Sequence, residues 1–538
     1  MTLSPNFSIR DDFPPVDYDQ WRKLVDADLK GASFEKQLVT HTCEGIDLQS
    51  LYCRKDFPSG SDPYGFPGLP PYIRGSQPLG ALQSGLDLRQ EHLHPDLETT
   101  NRAILEDVAG GVTSVLLRLD AAADGVMIHS VNDLDAALAE VRLDRVGVAL
   151  DAGADFLPAA ALLVALWQRR RTAPEQPAGA FNADPLAVLA NTGELPKSAL
   201  SLMADLAQWT SQNFGQVTSV VVDTSSYHHA GATAAQDLAF GLATGVEYLR
   251  AMTNAGLSID AAARQMLFRI SLGTHHFLAI GKLRAARRLW WQVIESCGAS
   301  QSEGRMRIHA RTTGRVLTRR DPYTNIVRNS ACVFAACIGG AEIITSLPFD
   351  HLVGLPDELS RRLARNTLLI LQEEGHLHRV VDPAGGSWFF DSMTEQLAAA
   401  AWIIFQEIER RGGMLAALES GWVHEQVDVA HAQRASALAA GRQVIVGVSH
   451  FVDPSLQSPV TESSSTTPSR AAIDRGNRQV RLVNSFPELI DAATRGATID
   501  QLRGPLGSDD KPTHIQPFLA RTDEDSFVRL AGRGESGP

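Results

Sequence analysis

Residues 306–391 read MRIHARTTGRVLTRRDPYTNIVRNSACVFAACIGGAEIITSLPFDHLVGLPDELSRRLARNTLLILQEEGHLHRVVDPAGGSWFFD, and this stretch decides the fold. Three runs rich in β-formers, 306–312, 342–350 and 378–383, alternate with two helical runs, 321–337 and 355–374. Asp321 is placed to cap the first helix, with Pro322 at its first position. A strand-to-strand spacing of about 35 residues is that of repeated βα units.

Working outward, strand-like runs fall at 112–120, 146–153, 178–184, 217–225, 268–275, 306–312, 342–348 and 378–383. Most are apolar on both faces, as parallel strands covered by helices must be. Helical runs separate them, at 130–142, 155–171, 198–214, 230–264, 276–297, 321–337 and 355–374. This order predicts an α/β chain built on a TIM (β/α)8 barrel.

The flanks read differently. Residues 1–84 form an expected N-terminal helical and extended arm that contacts a partner. It holds a helix over 17–31, capped by Asp17 and stopped by Gly31, and a hairpin over 36–53 turning at Glu44-Gly45. The Pro/Gly-rich run 57–71 is a loop laid against a surface. Residues 85–452 are assigned to the barrel domain, including a helical run 393–422 broken at a Gly-Gly pair and a last strand 443–451. Residues 453–538 are expected to be a linker and poorly structured tail, low in complexity over 453–472, with two short helical pieces within 485–507.

Composition narrows the function. The formal charge of -13 argues against nucleic acid or an anionic membrane as the main partner. The five cysteines, Cys43, Cys53, Cys297, Cys332 and Cys337, form no CxxC pair and read as free thiols of a reducing, cytoplasmic compartment. The opening residues lack the basic end and apolar centre of a signal peptide, and no apolar run is long enough to span a membrane.

In a barrel, functional groups sit where strands give way to loops. Those ends offer Asp120, Asp151, Asn182, Asp184, Asp223 through His229, Thr274 to His276, Arg311, Ser346 and Asp382. The adjacent pairs His228-His229 and His275-His276 make poor chelates, and no metal site is expected. Phosphate-loop, dinucleotide and nucleophile-elbow motifs are absent from the sequence. From the residues alone, the reading stops at a barrel enzyme or its relative with a small-molecule pocket.

Seven segments, in order, carry it further: PPYIRGSQPL (70–79), DLRQE (87–91), YHHAGATAAQDLAFGLATGVEYLRA (227–251), AIGKLRAARRLW (279–290), LTRRDPYTNIVR (317–328), LPDELSRRLARNTLLILQEE (355–374) and VDPAGGSWFFDSMTEQL (381–397). Together they resemble the methylmalonyl-CoA mutase family. The resemblance implies an acyl-CoA bound through the barrel's centre and adenosylcobalamin over its C-terminal mouth. It implies a radical rearrangement that interconverts methylmalonyl-CoA and succinyl-CoA, shielded from water. Carried onto this sequence, it marks His228 as the catalytic candidate, although the family's histidine slot aligns with Ser226. Arg89, Asn182 and Asp184 become substrate-side candidates, and Glu342 and Glu373 cofactor-side candidates.

The departures matter as much. Glu91 stands at the family's tyrosine position, Thr192 at its carboxylate-binding arginine, and Ala81 and Ser84 in its CoA loop; the D-x-H-x-x-G cobalamin motif does not occur. Residues 13–52 look like the amino end of the small subunits of the family's heterodimeric members. The expectation is a non-catalytic subunit supporting a large catalytic chain, which would hold the adenosylcobalamin. The alternative is an active substrate subunit that borrows a separate cobalamin-binding chain.

Overall fold

The computed structural model describes residues 16–57, 64–119, 125–173, 176–301, 303–455, 485–503 and 511–534. Its centre is a closed barrel of eight parallel strands. They are β1 (Asp87–His92), β2 (Ser114–Arg118), β3 (Gly147–Asp151), β4 (Gly179–Ala183), β5 (Val217–Asp223), β6 (Met266–Leu272), β7 (Ile308–Thr312) and β8 (Ile343–Thr345). Closure comes from β8 pairing back onto β1, with Ile343 opposite Asp87.

Alternation along the strands divides the apolar residues into two groups. Outward-facing Val115, Leu117, Val148, Leu150, Val220, Val222, Phe268 and Ile270 join the large core shared with the helices. Leu116, Ala149, Ala180, Val221, Leu267 and Ile343 form a separate small cluster inside the ring. Gly179 makes one tight step possible: at φ +150° an added Cβ would lie 1.8 Å from the Val148 carbonyl oxygen.

The helices return over the outside, some started by a side-chain cap. Asp96 caps α1 (Leu97–Ala109), and Thr233 with Gln236 forms a capping box for α4 (Ala234–Asn254). Between them lie α2 (Phe156–Arg169) and α3 (Ser225–Ala230). After α4 come α5 (His276–Ser296), α6 (Asn325–Ile338), α7 (Glu358–Leu369), α8 (Trp388–Arg410) and α9 (Trp422–Ala439). Trp290 of α5 is buried edge-on to Phe268 of β6, ring centroids 4.6 Å apart.

Several expectations need correcting. The run 378–383 is not a strand: Leu377–Arg379 is a 3-10 turn, Val380 is exposed, and Asp382 has φ +48°. The missing strand is β1, whose inward residues are charged and so lack apolar alternation. Asp321 does not cap α6; it is left-handed, makes no capping bond, and α6 begins at Asn325. The stretch 230–264 is broken at Gly231 and Gly256 into α3, α4 and a short helix Ile259–Arg264. Residues 443–451 form turns with one isolated bridge, Val446 to His450. Asp120 and most of the 453–472 run lie outside the described residues.

The flanks are tied to the barrel by specific contacts. The N-terminal helix Tyr18–Asp28 carries its predicted Asp17 cap, completed to a capping box by Gln20, but buries none of its own residues. The two helical pieces expected within 485–507 are Phe486–Thr494 and Ile499–Leu502. Phe486 meets Trp209 edge-on at 4.9 Å, and Ile499 N–H donates to the His129 carbonyl. No described helix is long and apolar enough to cross a membrane.

Candidate functional site

The barrel axis is the natural site, and this chain fills it with its own charges. Arg269 of β6 donates to Asp223 on neighbouring β5 at 2.9 Å and to Asp151 on β3 at 3.1 Å. Because β4 and β5 separate β3 from β6, this second bond spans the interior. Arg311 of β7 donates through Nη2 to both Glu91 oxygens on β1, at 2.8 and 3.2 Å, past intervening β8. Deeper in the ring, Arg89 binds Ser114 Oγ at 2.9 Å and Asp87 at 3.1 Å. His309 Nε2 meets Thr345 Oγ1 at 2.8 Å.

These charges are held firmly. Burial pushes the Glu91 carboxyl up, but Arg311 outweighs it and holds the group down at about 2. Burial also works against the Arg269 cation; Asp223 and then Asp151 overcome it and keep the guanidinium protonated above its ordinary range. Arg269 Nε and Nη2, Arg89 Nη1 and Asn182 Oδ1 are buried without hydrogen-bond partners, so the interior is polar even where it is not paired. Both arginine–carboxylate bridges lie inside the ring: that of Arg269 to Asp151 spans β6 to β3, and that of Arg311 to Glu91 joins β7 to β1 across the single strand β8.

His228, the catalytic candidate, sits on α3 just past the end of β5. Its Nδ1 is 2.6 Å from Asp237 Oδ2, and Lys282 Nζ donates to the same oxygen at 2.7 Å. Burial, with Arg315 nearby, lowers the imidazole to about 3 despite Asp237. The neutral ring therefore donates from Nδ1, leaving Nε2 as a buried, unpartnered acceptor. Ser226, the alternative occupant of that slot, is also buried, its hydroxyl without a partner.

The other candidates divide by position. Asn182 is left-handed at φ +51° and donates to the Leu150 carbonyl at 2.7 Å. Asp184 caps the helix Pro185–Thr192 through Ala187 N–H, accepts from Asp223 N–H and bonds the Tyr248 hydroxyl. Burial pushes its carboxyl up to about 7, against the pull of Tyr248. Thr192 turns its hydroxyl onto the Val188 carbonyl at that helix's end.

Glu342 and Glu373 lie at the strands' N-terminal end of the barrel. Glu342 precedes β8 at its N-terminal end, accepting from Ile308 N–H and bonded to Ser76. Glu373 follows α7 in a π-turn beside Gln372, which accepts from Leu86 N–H just before β1. Helices run antiparallel to the strands here, so a helix's C-terminal end returns to the strands' starting face. Asp382 instead joins Asp391 in binding the fully buried Arg284, with Arg74 on its other oxygen. Sequence reasoning missed Arg269 and His309. The available signal was a charged or imidazole side chain within an otherwise apolar strand, MLFRISL (266–272) and IHART (308–312).

The residues at the mouth do not fit adenosylcobalamin. Glu91 and Arg311 are spent on each other, and His228 is turned inward to Asp237. Among the described residues, no group of three His, Cys, Asp or Glu side chains could hold a metal ion.

Comparison with known proteins agrees with the segments noted in the sequence. The family described as methylmalonyl-CoA mutase matches residues 41–503. A methylmalonyl-CoA mutase small subunit of Streptomyces virginiae is 41% identical over 498 residues, covering 91% of this chain and 78% of that one. The small subunit of Propionibacterium freudenreichii subsp. shermanii is 36% identical over 504 residues, covering 91% and 77%. Methylmalonyl-CoA mutase of Escherichia coli K12 is 31% identical over 456 residues, covering 80% and 64%. The chain belongs to the methylmalonyl-CoA mutase family.

Proposed function

We propose that this chain is the small, non-catalytic subunit of an adenosylcobalamin-dependent methylmalonyl-CoA mutase. It works in the cytoplasm beside a large catalytic subunit that holds both the acyl-CoA and the cofactor. The observation that supports the reading is the charged barrel interior: Arg269 bridges to Asp151 and Arg311 to Glu91 inside the ring, where the family resemblance puts an acyl-CoA. Removing charges from water is costly, and these pairs recover that cost from each other only while nothing lies between them.

A subunit role also accounts for what the chain leaves uncovered. The helix Tyr18–Asp28 has an apolar side formed by Trp21, Leu24 and Val25, yet buries no residue. Leu24, Phe66 and Leu69 are 68%, 72% and 55% exposed. Exposed apolar side chains gathered on an arm suit a protein partner. Tyr52, Phe277, Trp388 and Phe389 line a further open aromatic cleft.

The test is turnover by reconstitution. The purified chain with adenosylcobalamin and methylmalonyl-CoA forms no succinyl-CoA; adding a large catalytic chain restores the reaction and gives a stable heterodimer. Turnover by this chain with only a small cobalamin-binding protein added would establish the alternative, an active substrate subunit.

A further inference from the structure

The segment from Lys511 to the helix α10 (Asp523–Gly534) is seated on the mouth side of the barrel by a series of contacts. Thr513–His514 pairs antiparallel with Glu194–Leu195. Phe518 N–H donates to the Ala190 carbonyl at 2.7 Å, and Arg521 N–H to the His229 carbonyl at 2.9 Å. The Phe518 ring stacks on His424 with centroids 3.7 Å apart, and Arg521 reaches Asp428 at 3.0 Å. These partners follow the C-terminal ends of β4 and β5 or lie on α9.

The last contact differs in kind. Backbone N–H groups of Arg319 and Arg320, in the loop after β7, both donate to the Glu524 carboxylate, at 2.7 and 3.2 Å. The Arg319 guanidinium donates to Asp525 at 3.0 Å. Asp321, next in the loop, is left-handed at φ +50°. Arg328 is close enough for Glu524 to act on its charge. Glu524 itself is buried. Successive backbone N–H groups converging on one carboxylate, with the Arg319 guanidinium beside them, make an anion-binding concavity. A carboxylate is one guest for such a cradle; a phosphate oxygen pair is another of the same geometry and greater charge.

We propose that the loop Thr318–Asp321 is an oxyanion cradle for phosphate-type groups, occupied here by the chain's own Glu524, so that an external phosphate and the C-terminal segment exclude each other. Glu524 is tethered, which gives it an effective concentration on the order of millimolar, so a competitor must reach that range. A multiply charged phosphate meets the two backbone N–H groups with the Arg319 guanidinium beside them and displaces Glu524 more readily than a simple carboxylate does. Release frees the segment lying across α3 and uncovers the helix that carries His228 and His229.

The test uses the full chain. Amide hydrogen exchange of residues 513–529 is followed with ~10 mM inorganic pyrophosphate, with succinate, and with sodium chloride at equal ionic strength, a range set by the tether. Pyrophosphate is expected to speed exchange there about tenfold, with the barrel strands unchanged and succinate doing less. Calorimetric titration of Glu524→Ala with pyrophosphate should show binding about tenfold tighter than wild type, weakened again by adding Arg319→Ala. Unchanged exchange in the wild-type chain overturns the proposal, whether or not the variants fold. Equal effects of succinate and pyrophosphate overturn the phosphate assignment, and equal affinity of wild type and Glu524→Ala overturns the exclusion.

Discussion

Arg269→Leu is the perturbation that probes the charged barrel interior most sharply. The substitution keeps an apolar stem in the barrel and removes the cation shared by Asp151 and Asp223. Removing one partner of a buried ion pair costs about 3–5 kcal/mol. The Asp223 side chain is 12% exposed and stays stranded, whereas Asp151, at 36%, is partly served by water. The lower end, about 3 kcal/mol, is therefore expected. At roughly 2 cal/mol/K per residue, a chain of this length has a melting entropy near 1 kcal/mol/K, so Tm falls by about 3 °C. Calorimetry and urea denaturation measure the loss. Arg269→Leu combined with Asp223→Asn removes the stranded charge and should regain about 2 kcal/mol, a coupling that independent sites would not show. A single variant that loses under about 1 kcal/mol, or a double variant whose effects simply add, would refute the reasoning.

Other perturbations reach different parts of the account. Arg284→Met leaves the buried Asp391 without its guanidinium partner and should cost about 4 kcal/mol in urea denaturation, loosening the arm that Arg74 ties to Asp382. Gly179→Ala drives a methyl group into the Val148 carbonyl, so soluble expression or a cooperative melt should be lost. Trp209→Ala removes the aromatic edge contact with Phe486, and amide exchange over 486–494 should rise while that of β6 does not. Glu91 sits below its ordinary value of 4.5, at about 2, so its contribution is complete above pH 4.5 and disappears as pH falls toward 2. Across that window wild type should lose roughly 3 kcal/mol more than Glu91→Gln in denaturation measured at each pH.

Seven of the eight strands were legible because their outward residues are aliphatic and regularly spaced. The eighth was misplaced for a physical reason that bears on function. β1 reads Asp-Leu-Arg-Gln-Glu-His, and its inward positions, Asp87, Arg89 and Glu91, carry the charges that fill the axis. A strand built to point charge into a barrel does not look like a strand to a hydrophobic pattern. The run 378–383 imitated one with two valines, yet Asp382 is bent to reach Arg74 and Arg284, an arrangement no local pattern encodes. The site was legible only in part for the same reason. Glu91 stood out as a departure at the tyrosine position, but its partner Arg311 lies 220 residues away. Glu342 and Glu373 were cofactor-side candidates through the family resemblance; only the direction of the strands places them at the barrel's other end.

Binding of methylmalonyl-CoA to the purified chain alone, measured by isothermal titration calorimetry, tests the filled axis most directly. With Arg269 and Arg311 in place, no saturable binding is expected up to a thioester concentration of about 1 mM, the weak limit of specific recognition. Saturable micromolar binding, accompanied by amide protection in β6 and β7, would show that the arginines yield the axis and would contradict the assignment of this chain as a silent partner.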